Sequence, residues 1–315
     1  MKNYRAPAVT SVLRLLSGVG CWLLTGLTLV GAAAPAIPNI PTISAVDAGS
    51  AAAMRERHVA LARQLASNPY QRPLVIESTQ TSKDVKGDIY SVVPHSYAAV
   101  SAALAGPRSW CDILILHLNT KYCKTNQGLA GTALLLNVGK KFDQPLADSY
   151  RLAFVWQLVD QKADYLRVIM SADEGPLSTH DYRITVEAVP LEDGKTFLHL
   201  SYSYGFGFAG NIAMLAYFKT IGHNKVGFTV VGEDKDGKPA FVDGMRGLVE
   251  RNTMRYHLAI ESFLGALAVQ PPARFEKRIN DWFVAAERYP RQLHEMEFTD
   301  YLTMKRNENQ RQQAD

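Results

Sequence analysis

The stretches YRLAFVWQL (residues 150–158), YRITVEA (182–188) and LHLSYSY (198–204) decide the fold. In each, apolar and polar side chains alternate with period two. Tyr150, Leu152, Phe154, Trp156 and Leu158 share one face, as do Tyr182, Ile184, Val186 and Ala188, and Leu198, Leu200, Tyr202 and Tyr204. Arg151, Gln157, Arg183, Glu187, His199, Ser201 and Ser203 fall on the other. The pattern begins at about residue 131: Thr132, Leu134, Leu136 and Val138 carry it first, and Leu166, Val168 and Met170, with Arg167 opposite, carry it between the quoted stretches. Such alternation marks antiparallel strands with one buried and one wet face. Glu192-Asp193-Gly194-Lys195 is a tight hairpin signal between the last two strands. No helix-length segment separates the strands, which excludes parallel crossovers.

Working outward, Gly244 to Leu267 reads as one long helix. Met245, Leu248, Val249, Tyr256, Ala259, Ile260, Phe263 and Leu267 form its apolar stripe, and about 24 residues give it roughly 36 Å. Pro271 and Pro272 break it. A second helix is expected over Arg274–Glu287, a third from about Arg291, and a frayed polar tail from Arg306. Upstream, residues 50–66 read as a helix with Met54, Leu61 and Leu65 inward, ended by Pro69 and Pro73. Leu74–Thr79 and Asp88–Val93 read as two strands joined by the polar run Ser82–Gly87. Ser96 is an N-cap for a short helix, Tyr97–Leu104, which Pro107 ends.

The N-terminus reads as an export signal over residues 1–36. Lys2, Arg5 and Arg14 form a positive region, and Leu15 to Val30 carries no charge. Ala32, Ala33, Ala34 and Ala36 offer small residues for cleavage. The apolar run is near the lower limit for a membrane span, about 17 residues; glycines interrupt it and no basic cluster follows. Cys21 lies in the run with Gly18 three residues before it, which is a poor lipidation signal. The expectation is an exported protein, periplasmic or extracellular. Pro35, Pro38 and Pro41 then mark a linker, so that residues 37–69 are linker plus N-terminal helix.

Composition agrees with a folded domain: 47% apolar and 20% charged. The formal charge is +4, but three of those charges lie in the signal. No basic run or aromatic-interleaved basic patch appears, so no nucleic-acid partner is expected. Cys111 and Cys123 are left after cleavage. Their Cα atoms would lie about 35–40 Å apart on one strand and about 18 Å apart on one helix, against the about 7 Å a disulfide tolerates. A bond therefore requires the chain to reverse near Asn119–Thr120, and the alternative is two separately buried thiols. No Cys-x-x-Cys or His-x-x-x-His pair occurs, so neither a metal nor any other cofactor is expected.

A long amphipathic helix needs an apolar partner, and a curved antiparallel sheet has one apolar face, so packing the first into the second is the economical arrangement. The fold class is α+β: a curved antiparallel sheet wrapped around a long C-terminal helix, with extra C-terminal helices. This order of elements resembles the helix-grip fold of the START-like lipid-transfer and polyketide-cyclase superfamily. The resemblance covers residues 70–268. It is carried by Asp88–Val93 with the Ser96 helix and Trp110, by Gly175-Pro176 with His180-Asp181-Tyr182-Arg183 opening a strand, and by the last long helix. START-type domains often have Arg-Asp-aromatic at that strand opening, where this chain has His-Asp-Tyr. Residues 205–243 are longer than the usual connection, and 269–315 form a helical extension without a counterpart in the minimal domain.

The resemblance implies binding or carriage of a lipid or other apolar ligand in an internal cavity. Leu134, Leu152, Phe154, Trp156, Met170, Ile184, Tyr202, Tyr256 and Ile260 are the expected lining, because such pockets are mostly apolar with a few polar anchors. Asn252, with Arg255 at its flank, and the hydroxyls of Tyr202 and Tyr256 are candidate anchors for a ligand's polar end. Transient membrane contact fits a lipid carrier. The alternatives are a cyclase or hydrolase using the same cavity, and an interaction protein docking an unnamed partner through its C-terminal helices. An enzyme is the less favoured reading, because catalytic patterns are sparse. No Gly-x-Ser-x-Gly elbow occurs, Asp173–Glu174 reads as a turn beside Gly175-Pro176, His117 is a candidate base only if it faces the cavity, and His199 is expected on the solvated face. Gly205-Phe206-Gly207-Phe208-Ala209-Gly210 matches Gly-x-Gly-x-x-Gly, with a helix read over Asn211–Ile221. The strand before it alternates instead of being continuously apolar, which argues against a dinucleotide site.

Overall fold

The structure, a computed structural model, describes residues 49–128, 131–207 and 225–314. The leader read at 1–36 and the helix read at Asn211–Ile221 lie outside the described residues. Eight described strands form one antiparallel sheet: β1 (Leu74–Gln80), β2 (Asp84–Val93), β3 (Thr120–Gly128), β4 (Gly131–Val138), β5 (Tyr150–Gln161), β6 (Leu166–Glu174), β7 (Thr179–Pro190) and β8 (Thr196–Phe206). Their order is β1-β2-β8-β7-β6-β5-β4-β3. A hairpin opens the sheet, two helices carry the chain to the far edge, and a meander returns until β8 pairs with β2. Register shifts at 120–122, 158–160 and 180–183 bend the strands. Gly194, at φ +77°, makes the turn between β7 and β8 that the sequence predicted.

The long helix α4 (Gly244–Gly265) lies against β1, β2 and β8 on the inner face. Gly87 of β2 makes this approach possible: a Cβ there would stand 2.5 Å from Thr253 Oγ1. Val249, Leu258, Ile260 and Phe263 of α4 join Leu134, Met170, Ile184, Leu200 and others in one main core. Full burial of each such side chain contributes about 1.5–3 kcal/mol. A small hairpin, β9 (Val230–Glu233) with β10 (Pro239–Phe241), precedes α4.

Several expectations are corrected. β2 begins at Asp84, not Asp88, because the turn is the tight one capped by Thr81, whose Oγ1 accepts from the Asp84 and Lys83 N–H groups. The helix α2 (Tyr97–Leu104) has the predicted cap, Ser96 accepting from Ala99. Pro107, however, opens a further helix, α3 (Pro107–Leu114), at a position where its missing N–H costs nothing. β3 (Thr120–Gly128) is a strand that the sequence pattern does not predict.

The chain reverses over residues 115–119, between α3 and β3, and Cys111 and Cys123 are disulfide-bonded with Cα atoms 5.2 Å apart. Closing a loop of this length stabilises by about 3 kcal/mol in the chain-entropy account. Serine at both positions should therefore lower denaturant stability by that order relative to the oxidised parent; equal midpoints would show the bond idle.

The outer face is not uniformly wet. α1 (Ala51–Ala66), capped by Ser50, crosses it and buries Met54, Leu61 and Leu65 against Val75, Tyr165, Val189 and Phe197. Arg167, Glu187, His199 and Ser201, expected in solvent, are buried there.

The C-terminal helices α5 (Ala273–Ala286), α6 (Pro290–Leu293) and α7 (Phe298–Ala314) contribute Ile279, Trp282, Leu293, Tyr301 and Met304 to the main core. The tail does not fray at Arg306: α7 runs on to Ala314. It is pinned by Glu308, which lies between Lys121 and Lys305, all three fully buried, and by Gln312, which accepts from the Cys123 N–H at 2.9 Å.

Candidate aromatic binding site

Alternation along the strands puts the predicted lining on one face. Trp156 pairs across to Met170, Met170 to Ile184, Ile184 to Tyr202, and Tyr202 to Gly87 beneath α4. Leu134 stands opposite Phe154, and Leu136 opposite Leu152. Leu134, Leu152, Phe154, Met170, Ile184 and Tyr202 are buried and Trp156 is partly buried. From α4, Asn252, Tyr256 and Ile260 follow at four-residue spacing; Ile260 is fully buried, the other two partly.

Tyrosines join the two layers. Tyr256 meets Tyr202 edge-on at 5.3 Å between centroids. Tyr202 lies 5.6 Å from Tyr204, which stacks on Tyr182 at 5.3 Å, and Phe154 meets Tyr182 edge-on. Burial pushes the Tyr202, Tyr204 and Tyr256 hydroxyls upward, so they stay protonated. Among the described residues their hydroxyls meet no hydrogen-bond partner, whereas the Tyr182 hydroxyl pairs with Thr179 at 2.7 Å.

His117, from the turn after α3, stacks on Tyr256 at 4.7 Å. Its Nδ1 accepts from the Asn119 N–H at 3.1 Å, which leaves the neutral ring's proton on Nε2. Burial, then Arg255, Lys305 and Lys141, hold its pKa well below the usual histidine value. Nε2 is buried without a hydrogen-bond partner, and so is the Trp156 indole nitrogen. Each unsatisfied donor costs about 1–3 kcal/mol. The arrangement is thus aromatic and uncharged, with unused hydrogen-bonding groups. Tyr202, Tyr256 and Trp156 lie on faces that the sequence predicts, whereas the position of His117 depends on a turn that no local pattern reveals.

His199 is not solvated. It lies on the outer face between two carboxylates: its Nε2 is 2.9 Å from Asp88 Oδ1 and its Nδ1 2.9 Å from Glu187 Oε2. Tyr165 donates to Glu187 at 2.5 Å, and Tyr90 stacks on the imidazole at 4.3 Å. Two acceptors require two donors, so the ring is an imidazolium. Burial opposes its charge, but the bonds to Asp88 and Glu187 outweigh this and raise its pKa.

Among the other motifs, Gly205 pairs with Asp84 inside the antiparallel ladder. The glycine run therefore starts within a strand of the wrong kind for a dinucleotide fold; residues 208–210 lie outside the described ones. Asp173 and Glu174 are exposed at the end of β6. Among the described residues no group of three His, Cys, Asp or Glu side chains could hold a metal, and no helix is long and apolar enough to cross a membrane. Two grooves open elsewhere on the surface, one of about 980 Å³ beside α1 and one of about 760 Å³ beside α7, the latter reaching Asn119, whose N–H holds His117.

No protein-family model matches the sequence, and no curated protein matches it. Among solved structures, the chain is similar to human StAR-related lipid transfer protein 5 at 11% identity, over 68% of this chain and 96% of that one, with a TM-score of 0.33. It is similar to norcoclaurine synthase from Thalictrum flavum at 17% identity, over 48% and 77%, with a TM-score of 0.29, and to Ara h 8.0201 at 12% identity, over 47% and 92%, with a TM-score of 0.29. The chain's own strand order and its seated α4 give it the helix-grip layout of the START-like superfamily that its sequence resembles.

Proposed function

We propose that this protein binds an apolar, oxygen-bearing small molecule, a lipid or a compound of similar polarity, between the inner face of the sheet and α4. The observation that carries the reading is the pair of unsatisfied buried donors, His117 Nε2, whose ring stacks on Tyr256 next to Tyr202, and Trp156 Nε1, on the sheet face that also carries Tyr202. A ligand with carbonyl or hydroxyl oxygens satisfies such groups, and the surrounding Leu134, Phe154, Met170 and Ile184 supply apolar contact. Leu152, Asn252 and Ile260 belong to the same proposed lining. We further propose that the protein works after export; intact-mass measurement on protein from an exporting host should then find a mature N-terminus between residues 33 and 37.

Organic extracts of the purified protein, read by mass spectrometry, should contain a bound apolar compound. Phenylalanine at Trp156 or Tyr202 should keep the fold and weaken binding of a fluorescent sterol or fatty acid by about 0.5–1.5 kcal/mol per lost hydrogen bond. A parent protein with empty extracts and no affinity for either probe would overturn the reading.

One observation favours an enzymatic alternative: His117, held neutral with a free Nε2–H beside Tyr256, has the form of a donor that polarises a substrate carbonyl. Turnover of the extracted compound, abolished by His117→Gln, would distinguish it from carriage. In residues 273–304 the exposed large apolar side chains are Val284 and Phe298, a small area for partner docking.

A further inference from the structure

We propose that Lys141, in the groove between the 139–144 loop and the start of α7, is a reactive amine that takes apolar aldehydes as a reversible imine. The groove holds about 760 Å³, within the about 300–1,000 Å³ of small-molecule sites. Lys141, Phe142, Glu295, Met296 and Met304 are among its lining, and none of the tyrosines of the aromatic site is. The proposal therefore does not depend on the function proposed above.

Glu295 holds the amine in place. Its carboxylate is nearly buried and serves three cations: Lys141 Nζ at 2.6 Å, Arg255 at 2.8 Å and Lys225 at 3.2 Å. Lys141 is the partner that can be lost. An arginine does not give up its proton, and Lys225 also donates to the His294 carbonyl at 2.9 Å. When Lys141 turns neutral, Glu295 keeps two cations. No buried carboxylate is then stranded, which is the costly outcome of breaking a buried pair. Of the three cations, Lys141 is the one that lines the groove.

Both influences that make a lysine nucleophilic are present, a desolvated setting and a neighbouring cation. Burial first, then Arg255, with Arg251 contributing, bring Lys141 down from 10.5 to about 8. At pH 7 roughly one such amine in ten is unprotonated, against roughly one in a few thousand for an ordinary lysine. The condensation balances without a further reagent. The ammonium gives one proton to solvent, and the neutral amine adds to the carbonyl carbon. The two remaining N–H protons leave with the carbonyl oxygen as water, and the C=N bond forms.

The wall beside the amine suits an aldehyde with an alkyl body. Phe142 is 57% exposed, and Met296 and Met304 supply flexible thioethers that adapt to an alkyl chain. A neutral carbonyl also suits the charges of the lining, where Asp143, Glu295 and Asp300 stand beside Lys140 and Lys141.

Reductive trapping tests this. Decanal with cyanoborohydride at pH 7, followed by peptide mapping, should place decyl adducts on Lys141 at least about tenfold faster than on Lys235 and Lys238, exposed in the β9–β10 turn. The modified residue is the readout, so decanal held in the aromatic site does not enter it. Acetaldehyde, too short to use the apolar wall, should show a smaller preference for Lys141. Phe142→Ser, at an exposed position, should slow the decanal reaction at Lys141 severalfold and leave Lys235 unchanged. Lys141→Arg, which keeps a cation beside Glu295, should lose the groove adduct while the thermal midpoint stays near that of the parent. At pH 10 the advantage of Lys141 should shrink, because an ordinary lysine amine is largely free there as well. Equal labelling of Lys141 and Lys235 at pH 7 would overturn the proposal. So would a preference for Lys141 that neither Phe142→Ser nor the shorter aldehyde reduces.

Discussion

Glutamine in place of Glu308 should cost the protein about 3–5 kcal/mol of stability, the usual cost of leaving a buried charge without its partner. Here two charges are left. Lys121 Nζ lies 2.9 Å from Glu308 Oε1 and Lys305 Nζ 2.7 Å from Oε2, with all three side chains inaccessible to solvent. Carbonyl oxygens of Leu118, His117 and Thr120 also accept from the two ammoniums, but neutral acceptors do not cancel charge. Burial already lowers Lys305 from 10.5 to about 8. The sign of the pH dependence follows. Between about 8 and 10.5 the folded state has released the Lys305 proton while the unfolded chain retains it, so stability rises with pH there. Without Glu308 the folded value falls further, and the variant should regain more stability on alkaline titration than the parent does. Urea denaturation at pH 7 and pH 9.5 measures both effects. Arg306→Ala, which removes an exposed pair with Glu276, should change little; an equal loss in the two variants would refute the argument.

Phenylalanine at His199 should cost up to a similar amount, about 3–5 kcal/mol, since it removes the cation between Asp88 and Glu187 and leaves them only Lys86 at 3.1 Å and the Tyr165 hydroxyl. Its pH signature is separate. His199 is raised above its ordinary 6.5 in the fold, so its contribution is complete below 6.5 and fades as pH rises through the higher folded value. Burial alone would raise Asp88 and Glu187, but their bonds to His199, with Lys86 on Asp88 and Tyr165 and Arg167 on Glu187, outweigh it and lower both. Their contribution is complete above the ordinary 4.5 of a glutamate and fades as pH falls through the folded values. The parent should therefore be most stable between about pH 4.5 and 6.5 as far as this cluster decides, and lose stability toward pH 8.5. His199→Phe should lack that decline, and denaturation midpoints at pH 5.5 and 8.5 would expose a parent that behaves the same way as the variant.

The sheet was legible because period-two alternation is a local property. Leu152, Phe154 and Trp156 announce an inner face wherever the strand ends up. β3 was not legible: Thr120 and Lys121 are buried by polar partners from α7, and Asn126 and Gln127 are exposed, so this edge strand shows no apolar alternation. The same cause misled the reading of the tail. Lys305 and Glu308 look like a solvated helix face, and only pairing with Lys121, 187 residues from Glu308, puts them inside. Arg167, Glu187 and His199 follow the wet-face pattern, yet α1 covers them, and no spacing rule foretells which surface a distant helix will choose. The aromatic site was half visible. Tyr202 and Tyr256 lie on predicted faces, while His117 and the Lys141–Glu295–Arg255 group come together through turns whose geometry is set by tertiary packing.

The separation between Lys121 and its partners also sets a schedule. At about 5–20 residues per second of synthesis, roughly 10–40 s pass between the appearance of Lys121 and that of Glu308. During that interval β3 has an uncovered edge, whose free N–H and C=O groups can pair with any other extended chain, and its lysine has no carboxylate to enter the interior with. Gln312, which takes the Cys123 N–H, arrives later still. A ribosome that stalls before α7 would thus release a chain carrying both an open strand edge and a stranded charge, the features by which chaperones and proteases sort unfinished products from finished ones.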